Sequence, residues 1–349
     1  MEIGSDFYEY DKTYLKNDNA QFWNLGQDIK FTLTGRTAIG YVLENIKKYK
    51  NIKGAYLPNY ICESVINTFK NEDIDVYFYD VYFENGLKYN IDLSKKFDVF
   101  FAMNYFGYSD LCMDEYIDAF KENGKIIIED ITHSLLSKKK YCDRSDYLIA
   151  SLRKWFPIAD GGMAVNRYGD FYFELSDEKF EELAIKEKAM RLKKKYIENN
   201  IKDDKLKNEY LSYYRKFNNV LNNKYKNYKM SKSAYEIING IDIEQIIKSR
   251  NDNVNLIFEK LKNNRNISWI SNLNEGDCLL FVPIILEHES RDNLRNYLIK
   301  KGVYLPIHWP VDEKLNSIFK NELSLVCDQR YTKVQIENYT DLIIEYLGG

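Results

Sequence analysis

Between about residues 30 and 166, short apolar runs alternate with stretches whose apolar positions recur every three or four residues. Ala38, Ile39, Val42, Leu43 and Ile46 follow the turn-like pair Thr34-Gly35 at helical spacing and predict a helix. GAYLP (54–58) predicts a strand and Ser64 to Phe69 a helix. DVYFYD (75–80), DVFFAMN (98–104), KIIIED (125–130) and DYLIAS (146–151) predict further strands. Strands that are apolar along their whole length are buried on both faces, as in a parallel sheet covered by helices. The expected layout is doubly wound α/β, with ligands beyond the carboxyl ends of the strands.

After residue 170 the periodicity becomes helical and strongly charged. Lys, Glu and Asn crowd residues 170–225, and runs such as Glu181-Glu182-Leu183-Ala184 predict long surface helices with a solvated face. From about residue 255 the pattern changes again. CLLFVPIIL (278–286) predicts a strand, RDNLRNYLIKKG (291–302) a helix ended by glycine, and TKVQIENYTDLIIEYL (332–347) a closing helix. We therefore expect a large α/β domain over residues 1–250 and a small C-terminal α+β domain over residues 251–349.

The bulk properties narrow the function classes. A chain of 349 residues, 45% hydrophobic and 30% charged, can bury a large core. A net charge of −3 gives no general attraction to nucleic acid or to a membrane surface, so neither is an expected partner. MEIGSDFYEYDK at the start has neither a cationic opening nor an apolar run, and no segment approaches the roughly 18 apolar residues of a membrane helix. Five dispersed cysteines suit reduced thiols, and a cytoplasmic location is expected. The three histidines, His133, His288 and His308, form no Cys/His spacing suited to zinc, so no metal is expected.

Four local features carry chemistry. Glu129-Asp130 ends the strand KIIIED, where a carboxylate enters the ligand crevice. Pyridoxal 5'-phosphate (PLP) needs one such group, because a carboxylate beside its pyridine nitrogen keeps that nitrogen protonated and makes the ring an electron sink. The same pair could simply cap the next helix. SLRK (151–154) follows the strand DYLIAS, one crossover and one strand after Asp130, so Lys154 can emerge at the same rim. A lysine there can attack an aldehyde once desolvation or a neighbouring cation such as Arg153 lowers its pKa; Ser151 and nearby amides could take phosphate oxygens. TGRTAI (34–39) offers a helix N-terminus with Gly35 and Thr37, suited to a phosphate and equally to a plain helix start. Asp160-Gly161-Gly162 permits a tight turn close to the lysine.

The order of these features resembles the DegT/DnrJ/StrS-type sugar aminotransferases, a branch of the fold type I PLP-dependent enzymes, from about residue 30 to the C-terminus. GRTAI resembles that family's early phosphate turn. LPNYICESVINTF (57–69) with VYFYDV (76–81) resembles its next strand–helix–strand. MNYFG (103–107) is similar to a turn that usually carries His where Asn104 stands. IIIEDITHS (126–134) fits ED-x-x-[HQ], the most specific piece, and SLRKWFPIADGGMAV (151–165) resembles the lysine loop. NYKMSKSAYEII (227–238) resembles the NYRMS segment with Lys229 in place of Arg. GVYLPIHWP (302–310) and SLVCDQRY (324–331) resemble the small domain's closing motifs. The lysine loop is shorter than the family's usual form, and residues 186–225 have no counterpart.

The resemblance implies a PLP-dependent aminotransferase of fold type I, with a mostly parallel central sheet, helices on both its faces and a small C-terminal α+β domain. Lys154 would carry the cofactor and move a proton between substrate and cofactor. Asp130 would face the pyridine nitrogen, and His133 would hydrogen-bond the phenolic oxygen. Gly35, Arg36, Thr37 and Ser151 would bind the phosphate, and Tyr60 would stack on the ring. Asn227 would reach the phosphate of a neighbouring subunit, which implies a homodimer with shared sites. Arg330, His308 and Trp309 are substrate-side candidates by resemblance alone. The implied reaction moves an amino group from a small-molecule amino donor such as glutamate to a keto acceptor, for example on a nucleotide-linked sugar. One variant of the family replaces the lysine and performs dehydration; Lys154 argues against it. Another PLP reaction, or a regulatory protein that keeps the fold without turnover, stays open as an alternative.

Overall fold

A computed structural model describes residues 2–4, 6–12, 15–199, 203–288, 290–309 and 320–348. In chain order, β1 (Ile3–Gly4) and β2 (Asp28–Thr32) precede α1 (Gly35–Lys47). Then come β3 (Gly54–Pro58), α2 (Glu63–Asn71), β4 (Asp75–Phe83), β5 (Leu87–Asn90), β6 (Val99–Met103), α3 (Asp114–Glu122) and β7 (Ile126–Asp130). β8 (Tyr147–Ala150) and β9 (Gly162–Asn166) flank the lysine loop, followed by α4 (Leu183–Glu198), α5 (Asp204–Asn223), α6 (Lys232–Gly240) and α7 (Ile243–Leu261). The chain closes with β10 (Ile267–Trp269), β11 (Val282–Leu286), α8 (Arg291–Lys300), β12 (Val303–Tyr304), β13 (Glu322–Leu325) and α9 (Lys333–Leu347). The chain divides into two compact units.

The first unit comprises residues 6–52 and 146–242. Its strands run in the order β2-β9-β8, all antiparallel, with Thr32 opposite Gly162 and Ala150 opposite Met163. The apolar face of α1 foretold by the sequence, from Ala38 to Ile46, is buried. α4 and α5 are the long helices expected in the charged stretch. Their inner faces bury Leu183, Ala189, Met190, Tyr210, Tyr214, Phe217 and Leu221 and leave most of the charge outside, as amphipathic helices do.

The second unit comprises residues 53–145 and 243–349 with the N-terminal strand. Here β7, β6, β3 and β4 are neighbours in one parallel array, and β5 returns antiparallel along β4. β3, β6 and β7 are buried at every position, which is why their sequences are unbroken apolar runs. Each buried Ile or Phe here contributes about 1.5–3 kcal/mol of transfer free energy. β4 instead alternates exposed and covered residues over its first half, as a strand near the sheet's border does. β10-β11-β13 form a small antiparallel sheet, with α7 against α9 and α8 against α9. α8 stops before Gly302, whose φ of 83° only glycine adopts without strain.

Candidate active site

The first unit gathers three of the four chemical features in one place. Thr34 ends β2's extended path and caps α1: its hydroxyl accepts the Thr37 N–H at 3.1 Å. The Thr37 hydroxyl donates to the Tyr225 carbonyl at 2.8 Å and lies 3.0 Å from the Thr34 hydroxyl. Both threonines are therefore occupied in shaping the turn. The Arg36 side chain points to the end of α5, donating to the Leu221 carbonyl at 2.6 Å and to Asn222 Oδ1 at 3.2 Å, with its guanidinium 5.6 Å from the centre of the Tyr225 ring. A cation at a helix C-terminus satisfies the last carbonyls and the negative end of the dipole.

Gly35 sits directly on Ser151: a Cβ at residue 35 would lie 3.0 Å from the Ser151 Cβ. Gly162 sits as closely on the same turn, because a Cβ there would lie 2.2 Å from the Thr34 carbonyl carbon and 2.6 Å from the Gly35 nitrogen. Gly161, at φ 146°, donates its N–H to the Leu33 carbonyl (2.7 Å) and accepts from the Leu152 N–H (3.1 Å). The phosphate-type turn, the start of the lysine loop and the Gly-Gly turn are thus interlocked through backbone, with glycine where no side chain fits.

Lys154 closes a short 3-10 turn (Leu152–Lys154) that follows Ser151 directly. Leu152, Trp155 and Phe156 are wholly buried and anchor the turn, while Lys154 is half-buried. Arg153 beside it is pushed below its ordinary pKa by burial, opposed by Asp6 and Asp160. Asp160 is buried, accepts the Ser231 N–H (2.6 Å) and hydroxyl (2.7 Å), and is raised to about 6 by burial. The NYKMS segment runs along β2: the Leu33 N–H donates to the Tyr228 carbonyl (2.9 Å) and the Met230 N–H to the Phe31 carbonyl (3.0 Å). Asn227 has φ 57°, and its amide group donates to Glu44 (2.9 Å). Its Oδ1 is buried with no partner among the described residues.

The second unit holds the carboxylates. Alternation along β7 sends Glu129 and Asp130 to opposite faces. Glu129 is completely buried and accepts from Asn104 Nδ2 (2.7 Å), the Cys142 N–H (2.9 Å) and the Ser145 hydroxyl (2.6 Å). Burial raises it to about 7 against those three donors. It ties down the loop after β7, and Asn104 serves that anchor while also donating to the Lys140 carbonyl (2.9 Å). Asp130, at the strand's end, accepts the Thr132 N–H at 2.8 Å in an Asx turn. His133 is fully buried, and its Nδ1 accepts the Phe106 N–H at 3.1 Å. The neutral ring therefore carries its proton on Nε2 and is a donor there.

Tyr60 is fully buried and stacked on Tyr105 (5.5 Å, 22°), with Trp309 edge-on at 5.0 Å. Its hydroxyl is buried with no partner among the described residues, and burial holds its pKa well above the usual value. Trp309 in turn stacks on His133 (5.6 Å, 22°). Pro310, the end of the predicted GVYLPIHWP motif, lies outside the described residues. The sequence reading missed Glu322 and Ser324, which hold His308; the signal was a carboxylate two positions before a serine in the apolar run ELSLVC, on one face of a strand.

No family model matches the sequence, and no curated protein matches it. Solved structures do. PseC of Helicobacter pylori, an aminotransferase involved in the biosynthesis of pseudoaminic acid, superposes with TM-score 0.64 at 12% identity, over 99% of this chain and 93% of that one. The PLP form of the sugar aminotransferase Spr1654 of Streptococcus pneumoniae gives 0.63 at 12%, over 99% and 94%. A DegT DnrJ EryC1 StrS aminotransferase of Brucella abortus gives 0.60 at 14%, over 98% and 92%. These likenesses establish the fold over essentially the whole chain, and it is the fold type I aminotransferase fold that the sequence resemblance implies. Among the described residues no helix is long and apolar enough to cross a membrane.

Proposed function

We propose that the protein is a PLP-dependent aminotransferase that moves an amino group from an amino acid such as L-glutamate to a keto group, with a nucleotide-linked sugar as the acceptor class. The observation that carries this reading is the interlock of Gly35, Ser151 and Gly162 one turn from the half-buried Lys154. Such a backbone cradle suits a phosphate, and the buried Tyr60 hydroxyl, without a partner among the described residues, suits a bound ring with a polar substituent. The solved structures of this fold named above include a PLP form, which adds support.

When bound, PLP would supply an electron sink for the substrate's α-carbanion charge. This chain's residues would do the rest. The amides of the α1 first turn and Ser151 would hold the phosphate, with Thr34 and Thr37 setting the turn's shape and Arg36 fixing it to α5. Asp130 would keep a proton on the pyridine nitrogen. His133, as an Nε2–H donor, would hold the phenolic oxygen, and Tyr60 would cover the ring. Lys154 would anchor the cofactor through its ε-amine and then move the proton at the substrate carbon. Asn227 would complete the phosphate site of a second protomer by turning its amide N–H from Glu44 to a phosphate oxygen, in a cytoplasmic homodimer.

The test is to mix purified protein with PLP, remove the excess, and add L-glutamate. The reading predicts a yellow protein that bleaches on adding L-glutamate, with pyridoxamine phosphate and 2-oxoglutarate released on denaturation. A yellow protein inert to every amino acid would favour a non-turnover role, and no PLP uptake would reject the reading.

A further inference from the structure

His308 is held twice by one carboxylate. Its backbone N–H donates to Glu322 Oε2 at 2.9 Å, and its ring Nδ1 lies 2.8 Å from the Ser324 hydroxyl, which lies 2.5 Å from Glu322 Oε1. Glu322 and Ser324 project from the same face of β13 and are completely buried; His308 is nearly so. The Ser324 N–H also donates to the Pro306 carbonyl at 3.1 Å, so the strand fixes the loop that carries His308. The ring of His308 packs edge-on to His133 at 5.9 Å and to Trp309 at 5.1 Å. Neither Glu322 nor Ser324 nor His308 is used in the mechanism above.

A hydroxyl between an imidazole and a carboxyl can carry a proton in either direction. With Glu322 ionised, Ser324 donates to it and accepts from His308 Nδ1–H, leaving the ring's lone pair on Nε2. With Glu322 protonated, both hydrogen bonds reverse, and His308 becomes the Nε2–H form. We infer that Glu322, Ser324 and His308 form a proton relay: His308 takes a proton at Nε2 while its Nδ1 proton passes to Ser324 Oγ and the serine proton passes to Glu322. One proton enters, one is stored on the carboxyl, and the imidazole stays neutral, so no charge separation is left in a buried site. Burial raises Glu322 to about 8, close enough to histidine for such sharing. The charged or titratable groups facing it are Arg291 on α8, whose guanidinium opposes the rise and donates to the Glu322 carbonyl at 3.1 Å, and Tyr60.

This assignment rests on the aminotransferase reading for its purpose. Amination of a keto group must protonate the departing oxygen, and the reverse of that step in the L-glutamate half-reaction must take a proton from the attacking water; a neutral proton store beside His133 and Trp309 serves both. Glu322 and Ser324 are positioning residues acting through His308.

The test needs no substrate at first. The chain has three histidines, so 15N-histidine labelling with a His308→Gln variant for assignment isolates one ring. In the wild type, the neutral His308 ring should change from the Nε2–H to the Nδ1–H form as pH rises through the Glu322 titration near 8. In Ser324→Ala and in Glu322→Gln it should keep one tautomer throughout. The L-glutamate half-reaction should slow about tenfold or more in Ser324→Ala, with the yellow cofactor band unchanged. A wild-type ring with one tautomer from pH 6 to 10, or a Ser324→Ala half-reaction within about twofold of wild type, would overturn the relay. Tautomer coupling in a protein that takes up no PLP would overturn the proposed function instead.

Discussion

Gly162→Ala is the sharpest structural perturbation the site offers. The added Cβ would sit 2.2 Å from the Thr34 carbonyl carbon, 2.3 Å from its oxygen and 2.6 Å from the Gly35 nitrogen. Non-bonded carbons are comfortable at about 3.5–4.0 Å, so the turn must retreat by about 1 Å. No flexible side chain can absorb this, because every atom met is backbone, and β9 is locked to β2 by the pairing of Gly162 with Thr32. Overpacking of this kind costs about 1–3 kcal/mol, or about 1.5–4 °C in a chain of this length. The effect on ligand binding is larger. A retreat of about 1 Å carries an N–H···O bond from about 2.9 Å past 3.5 Å, where it no longer counts. Each bond lost to a charged oxygen is worth about 1.5–3 kcal/mol, or about 10- to 100-fold in Kd. Absorbance titration with PLP and differential scanning calorimetry would measure both. Gly169→Ala is the control, since its Cβ would meet nothing closer than 3.5 Å. If Gly162→Ala binds PLP as tightly as the control and melts with it, the cradle is not where we put it.

Further predictions follow from single groups. Asp130→Asn should keep the fold, because the Asn carbonyl can still accept the Thr132 N–H, yet slow the L-glutamate half-reaction by about 100-fold or more in stopped-flow absorbance. Glu129 is raised from 4.5 to about 7 in the folded chain, so the native state binds the extra proton more tightly than the unfolded one between those values. Stability should therefore fall, by an amount on the order of 1–3 kcal/mol, as pH rises from about 4.5 to 7, and Glu129→Gln should flatten that slope in urea titrations. Arg36→Ala should fray the last turn of α5 and speed amide exchange near Leu221, at a cost of about 1 kcal/mol.

The residues of the candidate site stood out in the sequence because the proposed chemistry needs fixed residue types at strand ends. β3, β6 and β7 are unbroken apolar runs, and the carboxylate at the end of β7 and the lysine after β8 stand out against them. β2 was missed: DIKFT carries charge at Asp28 and Lys30 and is only half-buried at most positions, so it lacks both strand signatures. β5, with the polar sequence LKYN, was missed for the same reason. The direction of pairing was not legible either. β9, the strand after the Gly161-Gly162 turn, pairs antiparallel with both β8 and β2, which its apolar run does not announce. Whether a donor faces a ligand or its own turn also escapes a pattern reading, as the inward-facing hydroxyls of Thr34 and Thr37 illustrate.

The most direct measurement of the central claim is covalent trapping. PLP-loaded protein is reduced with borohydride, digested, and read by tandem mass spectrometry. The account predicts a single phosphopyridoxyl group on Lys154, absent from the Lys154→Ala variant. A label on Lys186, Lys193 or another of the chain's lysines, with Lys154 unmodified, would contradict it.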